Sequence, residues 1–180
     1  STGFTGQAIA VAFDRRYGAL KRLGATALPV WGIIAGKALA VVSVVFLQAI
    51  VLGGIGLALG WRPPVLGLLL GAAVIALGTV TFTAMGLLLG GTLKAEIVLA
   101  IANLLWFVFA GFGALTLESG TIPGALSSIA RLTPSGALTE ALSWAVSGPG
   151  APAIDGFAIA VLAIWGAVAA LAALRWFRFT

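Results

Sequence analysis

Four apolar runs decide what this chain can fold into. Residues 30–60, 65–91, 97–115 and 154–174 are nearly free of charge, and each reaches the roughly 17–25 residues that a helix needs to cross a bilayer. Inside a membrane no water can satisfy backbone N–H and C=O groups, so such runs must close their own hydrogen bonds as helices. The expected fold is therefore an all-α integral membrane protein, a polytopic helical bundle forming a single transmembrane domain over 1–180. The first run carries only Lys37, Ser43 and Gln48 as polar interruptions, and Trp31 and Trp61 bracket it as an aromatic belt would. The turn Trp61-Arg62-Pro63-Pro64 then breaks the helix, so the first two runs read as a helical hairpin. With 61% hydrophobic and 8% charged residues and a mean hydropathy of +1.17, too few polar groups remain to cover a water-facing surface.

The same sequence excludes several function classes. It has no Cys and no His, which removes thiol nucleophiles, imidazole bases and the usual zinc and haem ligands together. Neither catalysis nor a metal site is expected. A net charge of +5 could suit nucleic acid, but the basic residues sit beside apolar spans and leave no soluble basic surface, so no nucleic-acid partner is expected. Gly32 to Lys37 has the wrong spacing for a phosphate-binding loop and lacks the following Ser or Thr. No carboxylate lies at mid-span, which argues against a proton or sodium relay and hence against a secondary transporter.

Between these runs, Phe13 to Pro29 is the charge-dense stretch. As a helix it would place Phe13, Tyr17, Leu20 and Gly24 on one stripe, with Arg15, Lys21 and Arg22 away from it. Two readings follow: a short amphipathic helix at the membrane surface, or a loop that merely holds the positive charges of the cytoplasmic side. Pro29 ends the segment before the next span. Residues 1–13 are too short to cross a bilayer and read as the end of a truncated span. Residues 117–150 hold Glu118, Arg131, Glu140, Pro123, Pro134 and Pro149, and read as two short re-entrant or interfacial helices broken at Pro134.

Charge sets the expected orientation. With 14–29 in the cytoplasm, eight basic residues (Arg15, Arg16, Lys21, Arg22, Lys37, Lys94, Arg175, Arg178) lie inside and two, Arg62 and Arg131, outside. Residues 117–150 are then extracytoplasmic and the C-terminus cytoplasmic.

Inside the spans, Gln48, Thr79, Thr83, Asn103 and Trp106 are the groups that could border a path for a substrate. Buried polar side chains need hydrogen-bond partners and so are expected to point inward, as contacts between helices or as substrate contacts. Gly32/Gly36, Gly67/Gly71 and Gly86/Gly90 are small-xxx-small pairs that allow close helix approach, although 25 glycines in 180 residues produce such pairs by chance as well.

The run Asp14-Arg15-Arg16-x-Gly18-x-Leu20-x-x-Leu23, the Ala25-Thr26-Ala27-Leu28-Pro29 that follows, and Gly36-Lys37 in the next span resemble the loop between the second and third spans of type-2 ABC exporter permeases. Glu96 opening a span, Asn103 within it, Ile122-Pro123 through Leu132-Thr133-Pro134, and Glu140 fit the same pattern. Within that family the sequence resembles the daunorubicin-resistance-type multidrug efflux permeases. Asp14 stands where Glu is common, and Ala27 where a second Pro is common.

The resemblance implies that 14–29 is a cytoplasmic coupling helix docking on an ATP-binding subunit, with Phe13, Asp14, Arg15, Arg16, Tyr17, Gly18, Leu20, Lys21 and Leu23 at the contact. It implies two ATPase subunits carrying ATP and Mg, a second permease subunit as homo- or heterodimer, and an inner or plasma membrane location. A complete permease of this kind has six spans and an amphipathic elbow helix, so the sequence is expected to be incomplete at its N-terminus. A drug or other amphipathic small molecule is the implied cargo. A lipid or polysaccharide exporter, and a non-transporting scaffold or assembly factor, are the alternatives.

Overall fold

The computed structural model describes residues 2–18, 30–117, 124–147 and 152–176. Among them there is no strand. A five-residue π-helical turn, Thr2–Gly6, leads into α1 (Gln7–Arg16). Four long helices follow the apolar runs: α2 (Val30–Ala58), α3 (Val65–Thr92), α4 (Ala95–Leu117) and, last in the chain, α7 (Gly156–Trp176). All four contain stretches long and apolar enough to cross a membrane. Between α4 and α7 lie two short helices, α5 (Gly124–Leu132) and α6 (Pro134–Ser147).

The ends of these helices have local causes. At the end of α2, Gly60 takes φ 98°, a conformation that costs an L side chain but not glycine. That lets the Trp61 amide donate to the Gly56 carbonyl at 2.9 Å and the Gly60 amide to Leu57 at 3.2 Å, the paired bonds of a Schellman ending, while the Trp61 ring covers Gly56. The Arg62 guanidinium donates to the same Leu57 carbonyl at 2.5 Å. The break between α5 and α6 is equally specific. Thr133 Oγ1 accepts from the Gly136 amide at 3.1 Å and Pro134 takes the first helical position, where its missing N–H costs nothing. Asp155 caps α7 by accepting from Phe157 and Ala158 at 2.9 and 3.3 Å.

The chain forms two compact units. The first comprises Ser1–Val42, Thr79–Phe107 and Trp165–Thr180. Within it the N-terminal segment packs on α3 through Gly86 and Gly90, where added Cβ atoms would meet the Phe4 and Ala8 carbonyls, and Phe4 meets Phe82 edge-on with centroids 6.4 Å apart. Gly166 of α7 admits Thr81 in the same way. The second unit comprises Ser43–Gly78 and Val108–Ile164. Its core joins Val74 of α3 to Ala137, Ala141 and Ala145 of α6 and to Ala158, Val161 and Leu162 of α7. Gly67, Gly71 and Gly78 of α3 face Ala145, Val146 and Leu138 of α6. Among the described residues more than half of the buried apolar side chains are alanines. Lipid supplies no hydrophobic drive between helices, so small residues that let backbones approach are what hold such units together.

Two sequence expectations need correction. Among the described residues, the helix that includes Phe13 does not continue past Arg16. Phe13, Asp14, Arg15 and Arg16 are the last turn of α1, which begins at Gln7, and Gly18 leaves the helical path at φ 75°. The helical pattern therefore runs across the expected boundary at 13/14. Gln48 and Asn103 are exposed on this chain rather than turned inward. Gly36 has no neighbour near its Cβ position, unlike Gly67, Gly71, Gly86 and Gly90. The remainder of the expected amphipathic stripe, Leu20, Lys21, Leu23 and Gly24, lies outside the described residues.

Candidate functional site

The densest polar arrangement in the first unit sits where α1 ends. Its last turn carries Asp14, Arg15 and Arg16, and each reaches a different long helix. Asp14 Oδ2 pairs with Lys37 Nζ of α2 at 2.9 Å. Arg15 donates to the carbonyls of Gly90 and Leu93 at 3.3 and 2.8 Å, two acceptors that the end of α3 cannot satisfy within its own ladder. Arg16 pairs with Glu96 in the first turn of α4. The macrodipole favours both placements, cation at the C-terminus of α3 and carboxylate at the N-terminus of α4.

Just beyond, Tyr17 lies 73% exposed, its ring stacked on Phe13 with centroids 6.0 Å apart. That is the one part of the proposed apolar stripe that the structure describes, and it follows the i, i+4 spacing read from the sequence. Gly18 turns the chain out of α1, its amide donating to Arg15 O at 3.1 Å. The Arg15 anchor escaped the sequence reading because carbonyl acceptors carry no signature. The partners Lys37 and Glu96 did have one, being opposite charges isolated at span ends.

The span residues singled out earlier separate into two groups. Thr79 and Thr83, one turn apart on α3, are buried beside Gly3. Thr83 Oγ1 has no hydrogen-bond partner among the described residues, and neither do Thr5 Oγ1 and Gln7 Oε1 of the N-terminal segment. Asn103 instead faces outward from α4 and donates back to Leu99 O at 2.8 Å. Trp106, also on the surface of α4, stands edge-on to Phe107 with centroids 4.8 Å apart. Gln48 is exposed on α2, in the other unit. Thr79 and Thr83 are thus buried, whereas Gln48, Asn103 and Trp106 are exposed.

A second polar group lies in the second unit. Arg131, at the end of α5, donates to Glu140 of α6 at 2.7 Å and stands 3.8 Å from Asp155, with its guanidinium 5.3 Å from the centroid of the Phe157 ring. The hydrogen bond to Glu140, joined by the charges of Glu140 and Asp155, holds the Arg131 pKa above its ordinary value in spite of desolvation. The arrangement clips α5 to α6 and to the start of α7.

Compared with known protein families, residues 1–175 match the model described as ABC-2 family transporter protein. The chain belongs to the ABC-2 transporter family. With four long apolar helices, this ABC-2 protein is a multi-pass membrane protein and a membrane component of a transporter. No curated protein and no solved structure matches the chain. For an ABC-2 protein the end of α1 is the arrangement of greatest interest, because one helical turn there is tied to three of the long helices.

Proposed function

We propose that this chain is the membrane-spanning permease subunit of an ATP-driven exporter, and that the segment from Phe13 to Leu23 couples it to separate ATPase subunits. ATP and Mg reside on those subunits, in two copies. A second permease subunit completes the assembly in the inner or plasma membrane, with the C-terminus of this chain in the cytoplasm. The single observation that carries the reading is the threefold attachment of the last α1 turn. A displacement applied at Tyr17 and Gly18 is passed through Asp14 to α2, through Arg15 to α3 and through Arg16 to α4. A loop that only retained positive charge in the cytoplasm would need no such attachments.

The cargo in this reading is a drug or another amphipathic small molecule, with the exposed Asn103 and Trp106 of α4 bordering its path. An amide facing outward at mid-span is costly against lipid alone, which favours a path or a protein neighbour opposite it.

The test is co-expression with the ATPase subunit. The wild-type permease retains that subunit through purification and supports ATP-dependent movement of a fluorescent amphipathic dye in proteoliposomes. Leu20→Asp, by placing a charge in a desolvated contact, weakens the association by an amount on the order of a few kcal/mol. Full retention and unchanged transport in Leu20→Asp would defeat the coupling assignment.

A further inference from the structure

Two cavities of the first unit adjoin one another. One, of about 580 Å³, is apolar and runs beside α7, lined by Phe4, Met85, Leu105, Trp165, Val168 and Trp176 among others. The other, of about 620 Å³, is lined by Arg15, Arg16, Lys94 and Glu96. Thr92 and Leu93 line both, so the apolar groove ends where the basic cavity begins.

The groove has a measurable depth. Trp165 and Trp176 are eleven residues apart on α7, about 16 Å at the helical rise. Half of a bilayer's hydrocarbon core is about 15 Å. Trp165 lies at the middle of α7 and Trp176 at its end, beside Arg175, so the groove covers the depth of a single leaflet. An acyl chain of one leaflet matches both that depth and that apolar lining. At its polar end three cations stand against one carboxylate. Arg16 commits one Nη to Glu96 and has further N–H donors in its guanidinium fork, and Lys94 has no ionic partner among the described residues. A basic cavity between spanning helices at the membrane surface is the electrostatic setting for an acidic headgroup.

We propose that this paired site holds one anionic phospholipid as a resident ligand, its acyl chain in the groove beside α7 and its phosphate at Arg15, Arg16 and Lys94. The lipid is not cargo. It would bridge α1, the α3–α4 turn and α7.

The test is a thermal-unfolding titration of the full permease, stripped of native lipid in detergent, with phosphatidylglycerol, phosphatidylcholine or inorganic phosphate. Phosphatidylglycerol is expected to raise the unfolding temperature saturably, while phosphatidylcholine and phosphate alone do not. Lys94→Gln is expected to raise the half-saturating lipid concentration about fivefold, the worth of a lysine at an anionic membrane surface. Val168→Trp, filling the groove from an exposed position, abolishes the shift. An equal response to phosphatidylcholine would reduce the site to ordinary lipid solvation, and a response to phosphate alone would reduce it to an anion site. Wild-type titrations in both variants would place the lipid elsewhere. Each of these three results overturns the proposal.

Discussion

The carbonyl of Ala8 occupies the space that a side chain on Gly90 would need. An added Cβ would also meet Val11, and at Gly86 the Phe4 carbonyl stands in the same way at 2.6 Å. The obstructing atoms are backbone, which cannot rotate aside, so the cost must be taken up by shifting a helix. Gly90→Ala is expected to destabilise by about 1–3 kcal/mol, the range for overpacking a close contact. Gly111→Ala, where nothing lies within reach of the new methyl, should keep or raise thermal stability in detergent, by up to about 1 kcal/mol from the better helix propensity of Ala. Equal unfolding temperatures for the two variants would refute the close approach of α1 to α3.

Gly18 serves a different purpose. Its Cβ position is open, but φ is 75°, so a substitution there reports backbone strain and not obstruction. Asn, which tolerates the left-handed region, should be accepted, whereas Val should cost about 1–2 kcal/mol in the geometry of the turn. Retention of the ATPase subunit is then expected to fall in the order Gly18, Gly18→Asn, Gly18→Val. Equal retention in Asn and Val variants would show that the turn conformation does not matter to docking.

Thr83 and Asn103 were equivalent as sequence features and are opposites as structure. The Thr83 hydroxyl is buried without a partner among the described residues, so Thr83→Val should stabilise the protein by about 1 kcal/mol or more, removing an unmet desolvation cost. Asn103→Ala removes an exposed group bonded only within its own helix. It should leave stability intact and change which compounds stimulate ATP hydrolysis by the assembled exporter. A loss of stability in Thr83→Val would restore the contact-between-helices reading for that residue.

Arg131 and Glu140 are unequally exposed, their side chains 45% and 14% accessible. Removing either partner therefore has different consequences. Glu140→Gln leaves Arg131 with Asp155 and the face of Phe157, and should cost at most about 1 kcal/mol. Arg131→Met leaves the more buried carboxylate without its cation and should cost on the order of 1–3 kcal/mol. Hydrogen exchange across 124–147 measures both: faster exchange is expected chiefly in Arg131→Met, and equal effects would contradict the asymmetry.

The sequence was most legible where a single physical constraint dominates. Long apolar runs have no option in a bilayer but to be helices, so 65–91 and α3 differ by one residue at the end, and Pro134 opens a new helix because its ring forbids continuing the old one. Close packing was legible in part. Gly67, Gly71, Gly86 and Gly90 meet neighbouring helices, but Gly36 carries the same spacing without one, since spacing records which residues share a face and not what lies opposite. The charged end of α1 was hardest to read. Asp14, Arg15 and Arg16 looked like the start of a surface helix because their partners, Lys37, Glu96 and two backbone carbonyls, lie 23 to 80 positions along the chain.

The alanine-rich interior has a dynamic consequence. A methyl group has no rotamers to exchange, so surfaces such as Ala137, Ala141 and Ala145 against Ala158 cannot adapt by repacking side chains in place. A change of shape at such a surface slides helices past one another as rods, in the manner of shear motions. Such sliding is graded by small steps of backbone against backbone, and its direction is set by the rows of methyls and glycines along each helix.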